Sequence, residues 1–283
     1  MSKSSDIIVR ATGEKAPLRF VLVSIKNTMN EIGKKHEAKG FAFKFMAETA
    51  VASLLLSSGL KFPGTVNFRI ETSGDFRLAQ ADSTPQGLLR AMIPQDDLKK
   101  LGAKPKITAQ KITVIKLNEK AERIKESIVE APSTQMGVNL TAYLHQSEQT
   151  KSAAGILAEV SEEDPSKLNF AMGFLLEAFP DAGTKELEIM DAVVRTLPDL
   201  KSFYKDGEYK LLDLLDQLRG PYPIEIIREI FPQAYCPCSH ERVLASLSSL
   251  HPCEVRDLKQ KEEVLDVICE YCRTHYAVKA SEL

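Results

Sequence analysis

No cysteine precedes Cys236 in this 283-residue chain, and no part of the chain carries a long run of lysine or arginine. The formal net charge is -2 at pH 7. A protein that neutralises nucleic-acid phosphates needs a cationic surface. The composition therefore argues against nucleic acid as a partner.

Apolar segments of membrane-spanning length that carry no charged residue are also missing. The apolar run before Arg10 is only three residues long, Ile7 to Val9, which is too short for the apolar region of a signal peptide. The most membrane-like stretch, residues 41–60, carries Lys44 and Glu48 and is predicted to be a buried helix. We expect a cytoplasmic protein with no membrane partner, in a compartment that keeps thiols reduced.

The chain also lacks the residue patterns that identify an enzyme class. We find no paired nucleophile and base, no phosphate-binding glycine loop and no strong carboxylate pair. We therefore expect a protein that is not an enzyme, with no catalytic residues and no site for an organic cofactor.

What is present fits a soluble globular chain of more than one domain. The chain is 43% hydrophobic and 27% charged, and its length favours a large domain joined to a smaller module. We predict an α+β fold with a large N-terminal domain of helices and mostly antiparallel sheet at residues 1–180. A helical linker at 181–231 and a small C-terminal four-cysteine zinc module at 232–283 complete the prediction.

Hydrophobic periodicity gives the local expectations for the large domain. Spacing of 3.6 residues predicts helices over residues 18–36, 41–60 and 140–146. Alternating or continuous apolar runs predict strands over residues 66–70, 76–80, 87–93, 107–117, 123–129, 153–160 and 168–179. The Ser73-Gly74-Asp75 turn makes the first two strands a hairpin.

The linker has apolar residues that step by three and four, as in Leu211, Leu215 and Leu218. Such short amphipathic helices need another surface to bury their apolar stripes. An ordinary helical connector and a conditionally folded linker are both compatible with this pattern.

All five cysteines lie in the last fifth of the chain, and four of them form a Cys-x-Cys and a Cys-x-x-Cys pair. The pairs are Cys236 with Cys238 and Cys269 with Cys272, and the segment between them is long enough to fold back and bring four sulfurs to one tetrahedral zinc ion. Without metal, the same spacing suits a disulfide within each pair. A permanent structural zinc site and a redox switch both remain open at this point.

Other cysteine chemistries fit less well. A thioredoxin-like motif would lie early in an α/β fold rather than near the C-terminus. Residues 232–283 hold 6 basic and 8 acidic residues, which disfavours a nucleic-acid zinc ribbon. Three histidines, His240, His251 and His275, are predicted to be surface or packing residues, and Cys253 a small buried or half-exposed side chain.

Several motifs together resemble one known family, the redox-regulated chaperones of the heat-shock protein 33 type. The residues that carry the resemblance are Cys236-Pro237-Cys238-Ser239 with Glu241-Arg242, Cys269-Glu270-Tyr271-Cys272 with Tyr276, Ser147-Glu148-Gln149-Thr150, Ala81-Asp82 with Gly87 and Arg90, and Leu175-Leu176-Glu177-Ala178-Phe179-Pro180. The resemblance spans nearly the whole chain.

The resemblance implies a holdase that binds unfolding proteins without ATP under oxidative stress. It implies one zinc ion per chain in an inactive reduced state, held by Cys236, Cys238, Cys269 and Cys272. Oxidation would join these cysteines as two disulfides, release zinc, unfold the module and linker, and favour a homodimer of a client-binding N-terminal core. Two departures are Cys253, which has no counterpart in the usual pattern, and Leu89-Arg90-Ala91-Met92 in place of Arg-Gly-Tyr.

Overall fold

A computed structural model describes residues 6–100, 105–260 and 264–283. It contains two compact units, the first ending at Ala234 and the second spanning Tyr235–Leu283. The elements of the first unit up to residue 147 are β1 (Ile7–Gly13), β2 (Leu18–Ser24), α1 (Lys26–His36), α2 (Gly40–Ser57), β3 (Gly64–Gly74), β4 (Leu78–Ser83), β5 (Leu88–Met92), α3 (Gln95–Lys100), β6 (Ile107–Asn118), β7 (Arg123–Glu130) and α4 (Met136–Ser147).

The remaining elements complete the first unit and build the second. Those of the first unit are β8 (Ser152–Val160), β9 (Leu168–Ala178), α5 (Thr184–Thr196), a 3-10 turn (Leu200–Phe203), β10 (Tyr204–Lys205), β11 (Glu208–Tyr209), α6 (Leu211–Leu218), β12 (Ile224–Ile230) and β13 (Gln233–Ala234). Those of the second are α7 (His240–Ser248), α8 (Pro252–Gln260), β14 (Val264–Ile268), β15 (His275–Lys279) and a 3-10 turn (Ala280–Glu282).

Two sheets organise the first unit. The first sheet is antiparallel with strand order β12-β1-β2-β9-β8, and the second has the order β13-β5-β4-β3-β6-β7 with one parallel pair, β13 and β5. The predicted hairpin is confirmed as β3 and β4, in which Val66 pairs with Ser83 and Glu71 with Leu78. The α+β class with mostly antiparallel sheet is likewise confirmed.

Helix α2 forms the centre of the main core. Its side chains pack with the inner residues of both sheets, including Val23 of β2 and Phe68 of β3. Gly173 of β9 lets the helix approach the first sheet, because an added Cβ would lie 2.5 Å from Val51 Cγ1. The helix is long and apolar enough to span a membrane, but 83% of its residues are buried within the structure, as in a core helix.

The central strands of the first sheet are buried on both faces. In β2, Val21 and Val23 face α2, whereas Phe20 and Leu22 belong to a second core on the opposite face. Helices α5 and α6 close that second core. The helix predicted over residues 18–36 is therefore wrong for Leu18–Ser24, because a strand buried on both faces is apolar throughout and shows no alternation.

The segment predicted to be a helical linker does contain α5 and α6, and it also contains a strand that periodicity did not predict. Strand β12 pairs antiparallel with β1, from Ile8 opposite Ile230 to Gly13 opposite Ile224. It is an edge strand of the first sheet. The division of the chain at residues 180 and 231 stays a prediction, since the compact units divide after Ala234.

Candidate metal centre

The second cysteine pair lies in a tight turn between β14 and β15. The two strands pair antiparallel, with Ile268 opposite His275. The turn is closed by hydrogen bonds from the Cys269 amide to the Thr274 carbonyl at 3.0 Å and from the Arg273 amide to the Cys269 carbonyl at 2.9 Å. Arg273 has a φ of 60°, a left-handed conformation that turns the chain sharply. The turn therefore presents Cys269 and Cys272 on one side.

The first pair lies in the extended segment that leads into α7. Ser239 is the N-cap of this helix, and its hydroxyl accepts a hydrogen bond from the Arg242 amide at 3.3 Å. Serine is a preferred N-cap residue. Cys238 consequently lies immediately before a capped helix N-terminus.

The fold of the C-terminal unit brings these four cysteines together. Their Sγ atoms all lie within 4.8 Å of one another, and all four side chains are half-buried. Two sulfur contacts join the two pairs, with Cys236 Sγ 3.7 Å from Cys269 Sγ and Cys238 Sγ 3.2 Å from Cys272 Sγ. A zinc ion with Zn–S bonds of about 2.3 Å has tetrahedral sulfur edges of about 3.8 Å. The cluster therefore fits a four-coordinate metal ion.

Hydrogen-bond donors surround the sulfurs. Tyr276 Oη donates to Cys238 Sγ at 3.0 Å, and Thr274 Oγ1 lies 3.2 Å from Cys272 Sγ. Backbone amides of Tyr271 and Cys272 donate to the Cys269 sulfur. Donors to sulfur favour the thiolate, which is the form that binds metal.

The surroundings shift the pKa values of Cys238 and Cys272 in opposite directions. Burial raises the pKa of Cys238 to about 12, against the lowering effect of the hydrogen bond from Tyr276. Burial also raises the pKa of Cys272, but the side chain and amide of Thr274 and the neighbouring sulfurs lower it more, to about 6. The surroundings of Cys272 therefore favour its thiolate more than those of Cys238 do.

The remaining cysteine and the histidines of this unit lie outside the cluster. His240 Nε2 lies 3.0 Å from Glu282 Oε2, and His275 Nδ1 lies 3.1 Å from Asp266 Oδ2. Cys253 is exposed on α8, so the expectation of a buried or half-exposed side chain is wrong for this residue. Helix α8 has no buried residue at all, and the exposure of Cys253 is typical of this helix.

The C-terminal unit has little hydrophobic core of its own. Within residues 235–260 and 264–283, Val278 and Ala280 are the only apolar residues that are buried, at 0% and 1% exposure. Neither α7 nor α8 has a buried residue. Units of this size usually need a metal or disulfides for stability, and structural zinc contributes about 10 to 16 kcal/mol in zinc-finger peptides. The cluster is therefore the main candidate for what holds this unit folded.

A second candidate element lies in the first unit, where the segment predicted to be a linker covers an apolar sheet face. That face of β2 and β9 includes Phe20, Phe170 and Phe174. The linker residues buried against it are Met190, Phe203, Leu211, Leu214, Leu215 and Leu218. Displacing the linker would expose a continuous apolar surface of the kind that binds other proteins.

Two upstream motifs form polar clusters in the first unit. Glu148 Oε1 lies 2.9 Å from Lys116 Nζ and accepts a hydrogen bond from Tyr143 Oη at 2.8 Å. Arg90 forms an ion pair with Asp82 at 2.6 Å across β4 and β5. These contacts give both motifs a structural role.

The two hydroxyl donors to the cluster are poorly marked in the sequence. Tyr276 stands out only as an aromatic residue after the second cysteine pair, and Thr274 does not stand out at all. Tyr276 lies two residues before the buried Val278 on β15, and residues two apart on a strand face the same side. A strand assignment therefore places the Tyr276 ring on the inner side. No comparable signal marks Thr274, because its position depends on the turn geometry.

An α+β domain followed by a small unit with four clustered cysteines defines a protein with a C-terminal module that could hold a metal ion. Comparison with known proteins identifies its family. The model of the Hsp33 protein family matches residues 6–279. The chain belongs to the Hsp33 family of chaperones.

Known proteins resemble this one over their full length. The 33 kDa chaperonin of Microcystis aeruginosa is 28% identical over 294 residues, covering 99% of this chain and 96% of the relative. The 33 kDa chaperonin of Latilactobacillus sakei is 24% identical, covering 98% and 97%. A crystal structure of the Thermotoga maritima 33 kDa chaperonin (Hsp33 homologue) has a TM-score of 0.80 at 20% identity and covers 98% of this chain and 96% of that one.

Proposed function

We propose that this protein is an ATP-independent holdase that binds unfolding proteins under oxidative stress. In its reduced form, one zinc ion per chain is held by Cys236, Cys238, Cys269 and Cys272, and the apolar surface is covered. Oxidation of these cysteines to two disulfides removes the ligands that hold zinc. The module and linker then unfold, and the exposed surface binds clients.

The observation that carries the proposal is the combination of the sulfur cluster with a nearly absent core. Four sulfurs lie within 4.8 Å of one another in a unit whose described residues bury only two apolar side chains. When bound, zinc would crosslink the two cysteine pairs, and its positive charge would keep their sulfurs deprotonated. Because so little else stabilises the unit, loss of the thiolates leads to its unfolding.

Adjacent thiols make that loss reversible. A thiolate that reacts with a peroxide becomes a sulfenic acid, which a nearby thiol converts to a disulfide. Cys236 and Cys238 are separated by one residue, and Cys269 and Cys272 by two, so each pair contains its own resolving thiol. Thiol reductants can therefore restore the metal-binding form.

The linker connects the cysteines to the covered surface. Only Tyr235 separates β13 from Cys236 along the chain, and only Phe231 and Pro232 separate β12 from β13. Several linker side chains are already exposed in the covered state, among them Ile227 at 61% exposure and Ile226 at 43%. An unfolding event that begins at the cysteines thus reaches a segment with few buried contacts on β12.

The partners are unfolding client proteins and a second copy of the chain. Clients are recognised by exposed apolar surface rather than by sequence, and activation favours a homodimer. We assign the protein to the cytoplasm, without nucleic-acid or membrane partners and without enzymatic activity.

The test measures zinc, thiols and chaperone activity on one preparation. The reduced protein is expected to contain one zinc and five free thiols, and peroxide at elevated temperature should release the zinc and remove four thiols. Protection of a heat-denaturing client from aggregation should appear at the same time. Zinc that stays bound after oxidation, or equal protection in both states, would instead indicate a permanently stapled binding protein.

A further inference from the structure

Two side-chain hydroxyls contact sulfurs from opposite cysteine pairs. Tyr276 Oη lies 3.0 Å from Cys238 Sγ, and Thr274 Oγ1 lies 3.2 Å from Cys272 Sγ. A metal-bound thiolate has no proton, so both hydroxyls must donate to it. The sulfurs of Cys238 and Cys272 also lie 3.2 Å from each other.

The backbone fixes both hydroxyls. Tyr276 lies on β15 opposite Val267, on the same side as the buried Val278. Thr274 ends the turn that carries Cys269 and Cys272, and its carbonyl accepts the Cys269 amide hydrogen bond. Each donor is thus held in place by the fold and not by the sulfur it contacts.

A hydrogen bond to a thiolate withdraws electron density from the sulfur. It favours the charged form and lowers the nucleophilicity of the lone pair. Groups that contact metal ligands in this way tune both metal affinity and ligand reactivity. Loss of such a donor should therefore weaken zinc binding and speed the attack of the sulfur on an electrophile.

We propose that Tyr276 and Thr274 are positioning residues that set how fast hydroperoxides oxidise the cluster, with Tyr276 acting at the Cys236–Cys238 pair and Thr274 at the Cys269–Cys272 pair. This inference rests on the proposed function, because it assigns the oxidant threshold of that switch. The two hydroxyls would then keep oxidation of the cysteines slow at low hydroperoxide concentrations, and the switch would respond only at higher concentrations.

The chemistry balances with a hydroperoxide as oxidant. The thiolate sulfur attacks the terminal peroxide oxygen, the O–O bond breaks, and the sulfur becomes a sulfenic acid. The other oxygen leaves as hydroxide from hydrogen peroxide, or as an alkoxide from an organic hydroperoxide, and takes up a proton. The neighbouring thiol then forms the S–S bond and releases water. Each pair gives two electrons to one hydroperoxide.

The two donors should differ in effect. The Thr274 amide also donates to Cys272, and that donor remains when the side chain is changed. We expect Tyr276→Phe to speed oxidation of the first pair about tenfold and to weaken zinc binding about tenfold. Thr274→Val should speed oxidation of the second pair by a smaller factor, about threefold.

The experiment uses the reduced, zinc-loaded full chain. Initial rates of hydroperoxide oxidation are measured for each pair by rapid alkylation and peptide mass spectrometry, and zinc affinity by chelator competition. Tyr235→Phe is the matched control, because Tyr235 is an exposed tyrosine adjacent to Cys236 in sequence. It should leave the rates and zinc affinity of the parent chain unchanged.

Pair selectivity decides between a donor role and a general loosening of the fold. Acceleration of the first pair by Tyr276→Phe and of the second by Thr274→Val supports the proposal. Unchanged rates, or equal acceleration of both pairs in either variant, overturn it. If Tyr276→Phe does not retain zinc, Thr274→Val still decides, since its backbone donor is intact.

A second readout separates this inference from the proposed function. The same variants are alkylated with iodoacetamide in the absence of oxidant, and the initial rate at each sulfur is measured. Selective acceleration here supports the donor role even if peroxide fails to release zinc from the parent chain. Equal rates in variant and parent reject the donor role even if the parent chain switches as proposed.

Discussion

The ring of Phe170 on β9 packs against the ring of Tyr204 in the linker segment, with centroids 5.0 Å apart and an angle of 43° between the planes. Tyr209 packs against the same phenylalanine at 5.7 Å. Aromatic pairs of this kind add about 0.5 to 1.5 kcal/mol beyond the burial of their area. The linker is thus attached to the sheet by side-chain packing, which a substitution can weaken.

Leu214→Ala should partly activate the reduced protein. Leu214 is fully buried on α6, and truncation of a buried leucine costs about 2 to 5 kcal/mol. A weaker linker should detach more often, so the reduced variant is expected to suppress client aggregation and to be cleaved faster in the linker by a protease.

The same helix provides the control for this substitution. Leu212 is 58% exposed, so Leu212→Ala should change stability by less than about 0.5 kcal/mol and leave the reduced protein inactive. Similar behaviour of the two variants would show that linker packing does not control the covered surface.

Cys253→Ser should leave zinc binding intact, whereas Cys238→Ser should abolish it. Cys253 is exposed and lies outside the cluster, while Cys238 supplies one of its four sulfurs. Zinc content and thiol titration check this expectation. Both variants should contain four thiols, but only Cys253→Ser should contain one zinc ion per chain. Loss of zinc in Cys253→Ser would make that cysteine a ligand.

Glu48 should make the first unit less stable as the pH rises. Burial on α2 raises the pKa of this carboxyl from 4.5 to about 7, against the lowering effects of Lys44 and the Ala158 amide. The folded state therefore binds more protons than the unfolded state between these pH values, and stability falls as pH increases through that range. The total loss is on the order of 3 kcal/mol, at about 1.36 kcal/mol per pKa unit.

Glu48→Gln should remove this loss. Urea denaturation at pH 5 and pH 8 is expected to show a smaller difference in the free energy of unfolding for the variant than for the parent chain. An identical difference in both proteins would mean that Glu48 is ionised in the folded state throughout this range.

Glu148 should make the first unit less stable as the pH falls, which is the opposite of the effect of Glu48. Burial alone would raise its pKa, but hydrogen bonds from Lys116 and Tyr143 lower it to about 2. The folded-state pKa is below that of the unfolded chain, so the stabilisation is present above pH 4.5 and is lost as the pH falls towards 2. We expect Glu148→Gln to lower stability at pH 7 by about 2 kcal/mol, allowing for partial exposure.

Acid denaturation is the measurement for Glu148→Gln, and a surface glutamate is its control. Glu31 forms an exposed i,i+4 ion pair with Lys35 at 3.0 Å, and exposed pairs contribute about 0 to 1 kcal/mol. Glu31→Gln should therefore leave the acid transition nearly unchanged. A Glu148→Gln transition that coincides with that of Glu31→Gln would contradict the network's role.

Local patterns in the sequence predicted much of this fold. The alternation of Val66, Phe68 and Ile70 predicted β3, because one side of that strand faces α2 while the other is less buried. The mixed α+β class follows from such segments. The apolar run of β2 predicts a helix instead of a strand, because both faces of the strand are buried and no alternation marks it.

Strand β12 shows what local patterns cannot give. It forms by pairing with β1, which lies at the opposite end of the first unit in sequence, and most of its side chains are exposed. Neither its composition nor its periodicity records that partner. The cysteine cluster was easier to predict, because paired thiols at metal-binding spacing carry their own geometric signal, whereas the Thr274 and Tyr276 donors depend on the folded hairpin.

The position of β12 at the end of the first sheet has a mechanical consequence. An outermost strand can peel away by breaking a single ladder of hydrogen bonds, so β1, β2, β9 and β8 can remain joined after it leaves. Its departure also uncovers the backbone N–H and C=O groups of β1 as a template for any extended chain. Detachment of β12 alone thus exposes a free edge of β1, while the other four strands of the sheet stay paired.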